Sequence, residues 1–224
     1  MFRLILFDID GTLISTDGAG VKAFARVFDE IFDLPNATKY MTFAGRTDRR
    51  LVREIFEAND IELTDQNFRK FNESYFEHLT RYLPEGQTEP LPGVRQIIAA
   101  FQKLNPPPVI GLLTGNHPRG AELKLNHYNL WHEFALGAFG HHHEERADVA
   151  RDALKQGQSQ IHNLQSDQIL VIGDTKRDIE CARAIGAKVL AVATGPYTAS
   201  ELHSLKPDWV VNDLTQIHPS NLTK

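Results

Sequence analysis

Cysteine is almost missing: Cys181 stands alone in 224 residues. That excludes an intrachain disulfide and a cysteine metal cluster, and a reducing compartment is the simplest reading. Long hydrophobic runs are missing too. The N-terminal run, Leu4–Phe7, is interrupted by Asp8 far short of a signal-peptide core or a membrane span. The expectation is a cytoplasmic protein. Positive charge is not in excess: 24 Lys and Arg against 29 Asp and Glu give a formal net charge of −5. This argues against general affinity for nucleic acid or for an anionic membrane, and leaves a small molecule as the expected partner. Internal repeats and low-complexity tracts are also lacking, and the run Pro106, Pro107, Pro108 reads as a loop.

The apolar residues fall instead in short runs without polar alternation. They lie at 4–7, 109–113, 169–172 and 189–193, with weaker examples at 134–139 and 209–211. Such runs read as parallel strands buried on both faces. Helical periodicity lies between them, at 94–104, 121–130, 147–155 and 179–185, the last stopped by Gly186. Strands alternating with helices predict an α/β fold on a doubly wound parallel sheet. One connection breaks the rhythm, because far more chain separates the first two strands than a crossover helix needs. Three amphipathic helices are predicted there, at 20–32, 48–59 and 65–83, with Thr64 capping the third. The expected organisation is a core formed by residues 1–15 and 90–224, with a helical cap at 16–89. Its connectors, near 15–18 and 84–93, would be hinges.

Three strands end in groups that carry chemistry. The first runs into Asp8 and Asp10; if the backbone stays extended, both carboxylates point the same way. The carboxyl ends of such a sheet are where ligands bind. Two close carboxylates repel unless a cation intervenes, and a hard divalent ion such as Mg²⁺ suits both the oxygen donors and a phosphate substrate. A second strand ends in Thr114, Gly115 and Asn116, where Pro118 opens the next helix and free N–H groups favour an anion. A third runs into Asp174, with Asp178 one helical turn on. Each cluster alone would read as a turn or helix cap; the three together are hard to obtain that way. A calcium loop at 8–19 is rejected, because its sixth residue is Leu13 and its twelfth Ala19.

At these residues the chain resembles the haloacid dehalogenase superfamily of phosphohydrolases. "DIDGT" (8–12) matches its first motif, "LLTGN" (112–116) its second and "GDTKRD" (173–178) its fourth. Within it the chain looks most like the phosphoglycolate phosphatases, over nearly its whole length. The resemblance implies Asp8 as nucleophile, forming an aspartyl-phosphate, and Asp10 as general acid and base. It implies Mg²⁺ held by an Asp8 side-chain oxygen, the Asp10 backbone carbonyl and Asp174, with Asp178 and Thr12 as supporting residues. Thr114, Gly115 and Asn116 would bind the transferring phosphoryl. The acid at position 10 weighs against a dehalogenase.

The third motif departs from the pattern. The Lys-Pro found in many members occurs here only at Lys206 and Pro207, after Asp174. Arg146 stands where the resemblance places a basic residue, which implies for it the basic role toward phosphoryl and nucleophile, with Lys155 as alternative; an arginine acts there only electrostatically. The histidines at 141–143 read as a solvated loop in preference to a transition-metal site. Arg49, Arg50 and Arg53 read as a solvated helix face. Arg46 precedes that helix, in a loop over the site, and is expected to contact an anionic substrate group beyond the phosphate. The predicted function is a Mg²⁺-dependent phosphatase of a small phosphomonoester, with 2-phosphoglycolate as substrate. The alternatives are a phosphomutase or pyrophosphatase on the same residues, or a phosphate-binding protein without turnover.

Overall fold

The apolar runs pair as one parallel sheet. Its strands are β1 (Leu4–Phe7), β2 (Val109–Thr114), β3 (Leu136–Phe139), β4 (Ile169–Gly173), β5 (Lys188–Val192) and β6 (Trp209–Val211). The computed structural model describes residues 1–222 and orders them β3-β2-β1-β4-β5-β6. The α/β class and the doubly wound sheet follow the sequence expectation. β1 is central, with Phe7 opposite Leu112 of β2 and Ile172 of β4. Strand order reverses beside β1, so the crevice at the switch point lies where β1, β2 and β4 end together.

Alternate residues along each strand enter two separate cores. Ile5, Phe7, Ile110 and Leu112 pack with Val94, Ile98 and Phe101 of α4 (Val94–Gln102) and with Ala121 and Leu125 of α5 (Pro118–His127). Leu4, Leu6, Leu113 and Val171 pack on the other face with Val149 and Ala153 of α6 (Arg146–Gln160) and Ile179 and Ala182 of α7 (Lys176–Ala184). α5 begins at Pro118, as the proline signal implied, and the His117 ring Nδ1 accepts the Arg119 N–H and caps the helix ahead of it. A final short helix, α8 (Ala199–Ser204), was not expected. Its signal is a capping box between Thr198 and Glu201.

The long connection forms α1 (Ala19–Phe32), α2 (Asp48–Ala58) and α3 (Asp65–Tyr82). These helices have a third core of their own, built on Phe24, Phe28, Phe56, Phe71 and Tyr75. The rings of Phe24 and Phe71 meet edge to face at 4.7 Å, and burying each such side chain contributes about 1.5–3 kcal/mol. Thr64 caps α3 as expected, accepting the Asn67 N–H at 3.1 Å. The two connecting segments run side by side: Leu91 N donates to Leu13 O at 3.0 Å, and Gln87 N to Asp17 Oδ2 at 3.1 Å. Among the described residues no helix is long and apolar enough to cross a membrane.

Candidate active site

The chain does not stay extended past β1. Three amides, of Thr12, Leu13 and Ile14, donate to Ile9 O, and Gly11 N returns to Ile14 O at 2.9 Å. Gly11 has φ 83°, and a Cβ there would run into the Asp174 carboxylate. Asp10 lies within this tight loop, and both N-terminal acids line the same cavity. Asp8 turns inward and is 4% exposed. The Asp10 side chain remains 42% exposed and faces a different cation.

Asp8, Asp174 and Asp178 converge from β1 and β4, with carboxylate oxygens all within 4.8 Å of one another. Arg146, at the first position of α6, reaches between them. Its Nη1 donates to Asp8 Oδ1 at 3.2 Å and its Nη2 to Asp178 Oδ1 and to Leu113 O. Asp178 is otherwise occupied by the N–H and hydroxyl of Thr175, closing the cap of α7. Thr12 Oγ1 donates to Asp174 Oδ1 at 3.0 Å. Burial pushes Asp8 up to about 7, with Asp178 and Asp10 adding to it and Arg146 opposing. Burial, then Asp178 and Asp8, push Asp174 well above the usual carboxylate range. Burial works against the charge on Arg146, but Asp8 and Asp178 outweigh it and its pKa is raised.

Three ionised carboxylates around one guanidinium would carry two negative charges in excess, and burial resists this by raising Asp8 and Asp174. With Asp178 committed to Arg146 and Thr175, Asp8 and Asp174 are the carboxylates with capacity for an ion. Gly11 and Gly195 keep side chains away from Asp174; a Cβ at either would overlap its carboxylate. The donors are hard oxygens without histidine or cysteine, which fits Mg²⁺.

Beside the acids, β2 ends in Thr114 with Gly115 and Asn116 following. The Asn116 amide nitrogen donates to Thr114 Oγ1 and to Asp10 Oδ2, both at 2.8 Å. Lys124, from the second half of α5, completes the group. Its Nζ donates to both Asp10 oxygens, at 2.8 and 2.7 Å, and to Asn116 Oδ1 at 2.7 Å. Lys124 was missed in the sequence, although a signal existed: it sits at helical spacing among the buried Ala121, Leu125 and Tyr128.

The loop before α2 lies directly on this group. Asp48 N donates to Gly115 O at 2.9 Å, and His117 N donates to Asp48 Oδ2 at 2.7 Å. A Cβ on Gly115 would overlap Arg46 O. Arg46 lines the cavity, but its guanidinium pairs with Glu54 and donates to Thr42 O, while its Nε is buried without a partner. The cavity holds about 290 Å³ and is lined by Asp8, Asp10, Asp174, Arg146 and Lys124 on one side and by Phe24, Phe43, Arg46, Asp48 and Tyr75 on the other. Asp48 and Tyr75 had no sequence signal as site residues.

Several expectations change here. Arg50 and Arg53 are not a free solvated face; they pair with Glu145 at 2.5 Å and Glu144 at 3.1 Å, the two residues before α6. Arg49 lies over the Phe68 ring. Lys155 is exposed and pairs with Asp152, so Arg146 is the basic residue among the acids. The three histidines do not line the cavity: His143 bonds Asp152, while His141 packs on His142 and His117.

The chain belongs to the haloacid dehalogenase-like hydrolases, whose family profile matches residues 5–192. It is 25% identical over 214 residues to a phosphoglycolate phosphatase of Mesorhizobium japonicum, covering 93% of this chain and 90% of that protein. It is 24% identical to a pyrophosphatase, PpaX, of Bacillus cereus, covering 98% and 97%. Among solved structures its fold is like that of CbbY from Rhodobacter sphaeroides in complex with phosphate, with TM-score 0.74 and 18% identity over 96% of both chains. A hydrolase from Pseudomonas syringae gives TM-score 0.75 and 20% identity over the full length of both.

Proposed function

We propose that this hydrolase is a Mg²⁺-dependent phosphatase that cleaves a small phosphorylated metabolite through a phosphorylated Asp8. The observation that carries the reading is the buried group of Asp8, Asp174 and Asp178 around Arg146, whose carboxylates when ionised outnumber its one positive charge, next to Thr114 and Asp10. An Asp8 side-chain oxygen, the Asp10 carbonyl and Asp174 would hold Mg²⁺, which offsets those charges and draws electron density from the phosphoryl oxygens.

An Asp8 oxygen attacks phosphorus. The bond from phosphorus to the leaving oxygen breaks, its electron pair departs with that oxygen, and Asp10 supplies the proton. Asp10 then takes a proton from water, whose oxygen attacks the phosphorus. Phosphate leaves and Asp8 returns as a carboxylate. Arg146 orients Asp8 and favours its ionised form; Asp178 and Thr175 hold Arg146 and the start of α7. Thr114 and the backbone at Gly115 and Asn116 receive the equatorial oxygens. The segment 16–89 acts as a cap that opens for exchange and closes to exclude water.

The substrate reading is 2-phosphoglycolate, with Arg46, which lines the cavity, as the residue to meet its carboxylate. Pyrophosphate is the second reading, because relatives with that activity in their name match as broadly as the phosphoglycolate phosphatases. Phosphate release from both compounds and from other phosphorylated metabolites, with Mg²⁺ and with chelator, tests this. Release is expected with Mg²⁺ only, and not from Asp8→Asn. An Asp8→Asn protein as active as the parent would remove the nucleophile. Binding without release from any compound would favour a non-catalytic protein, and isomerised product without release a mutase. Arg46→Ala should lose more on 2-phosphoglycolate than on an uncharged alkyl phosphate; equal loss on both removes its specificity role.

A further inference from the structure

Lys124 is 4% exposed, yet it carries a charge into a cavity wall. An ammonium has three N–H bonds. Three acceptors surround this one: both oxygens of Asp10 and Asn116 Oδ1, all within 2.8 Å. The Asp10 carboxylate, gripped through both oxygens, and the Asn116 amide oxygen together hold the ammonium in one place.

The consequence runs through Asn116. With Oδ1 committed to Lys124, the amide has one orientation; the flipped amide would set two donors against each other. Its nitrogen must then face Asp10 Oδ2 and Thr114 Oγ1. Thr114 Oγ1 also accepts the Asn116 backbone N–H at 3.3 Å. The hydroxyl oxygen is thus an acceptor toward Asn116, and its own hydrogen remains free to donate into the cavity.

We infer that Lys124 is a positioning residue which, through one connected network, fixes the Asp10 carboxylate for proton transfer and turns the Thr114 hydroxyl toward the phosphoryl group. The inference rests on the phosphatase reading above. Lys124 acts through Asp10 and Asn116.

The test is Lys124→Met, which keeps the chain length and removes every donor. kcat/KM is measured with Mg²⁺ on p-nitrophenyl phosphate, whose leaving group needs little protonation, and on an alkyl phosphate, which needs the Asp10 proton. Because kcat/KM reports the step that expels the leaving group, the ratio of the two values should shift by ~10²-fold or more against the alkyl ester. Lys124→Cys alkylated with bromoethylamine rebuilds the side chain with a sulfur in place of one methylene and should restore the parent ratio. An unchanged ratio in a folded Lys124→Met protein overturns the inference. So does a shifted ratio that aminoethylation leaves uncorrected. If Lys124→Met does not fold, Lys124→Gln, which keeps an amide donor but not the charge, carries the same measurement. A parent protein that releases phosphate from neither ester would instead overturn the phosphatase reading.

Discussion

Asp48 is a carboxylate at the first turn of α2 that burial pushes up to about 6, against opposition from Lys124 and the His117 N–H. Between the ordinary value of 3.8 and about 6 the folded protein holds a proton that the unfolded chain has released. Stability from this group is therefore present at low pH and lost as pH rises through that window. A shift of about two units corresponds to about 3 kcal/mol. Asp48→Asn keeps an oxygen to accept the His117 N–H and removes the charge. In chelator it should melt above the parent at about pH 8 and level with it at about pH 4. An equal difference at both would mean that ionisation of Asp48 does not matter. This residue had no signature in the sequence, whereas Asp8 and Asp174 did. They directly follow buried strands, where a charge needs a reason. Asp48 looks like any acid in a helix first turn, and its burial comes from β2 and α5, remote in the chain. Lys124 lies between these cases, a charge on an apolar helical stripe whose partner is 114 residues away.

Two threonines show how much an element reveals by itself. Thr64 and Thr47 both cap helices, accepting the N–H groups of Asn67 and Arg50. Thr47 also donates to Glu144 O at 3.0 Å, tying α2 to the loop that carries Arg146. Thr64→Ala should cost about 1 kcal/mol of stability and leave turnover alone. Thr47→Ala should cost a further ~1 kcal/mol for the second bond and lower turnover as well. Chemical denaturation with parallel assays separates them; identical behaviour would mean that the Glu144 contact carries no function. Caps and strand runs are local signals, so they are legible within a few residues. The second bond of Thr47 spans 97 positions and leaves no trace in its neighbourhood. At the start of α5 the proline is such a local signal, whereas a histidine side chain as cap lies outside the usual set of capping residues.

Across the whole molecule, α2 meets the core beside the site through polar contacts, Asp48 with Gly115 and His117, Arg50 with Glu145, and Arg53 with Glu144, while α3 packs Phe76 on His117 and shares its apolar core with Leu123 of α5. Each has its partner far along the chain, so the arginines read in sequence as a solvated face. The arginine side chains in these pairs are 26% and 32% exposed, which leaves them open to screening by salt. Magnesium should act on the core alone. At concentrations about a hundredfold above its dissociation constant it should add about 2.7 kcal/mol, raising the melting temperature of the parent but not of Asp174→Asn.

Closure should respond to the ion pairs. The amides of Asp48 and His117 report it directly, because each bonds across the boundary. In Glu144→Gln with Glu145→Gln, and in the parent at high salt, these two amides should exchange with deuterium faster. Amides in the sheet core, such as that of Asp8 bonded to Ile172 O, should keep the parent rate. A uniform acceleration would indicate loss of global stability, and no change would mean that the arginine pairs do not hold the segment in place.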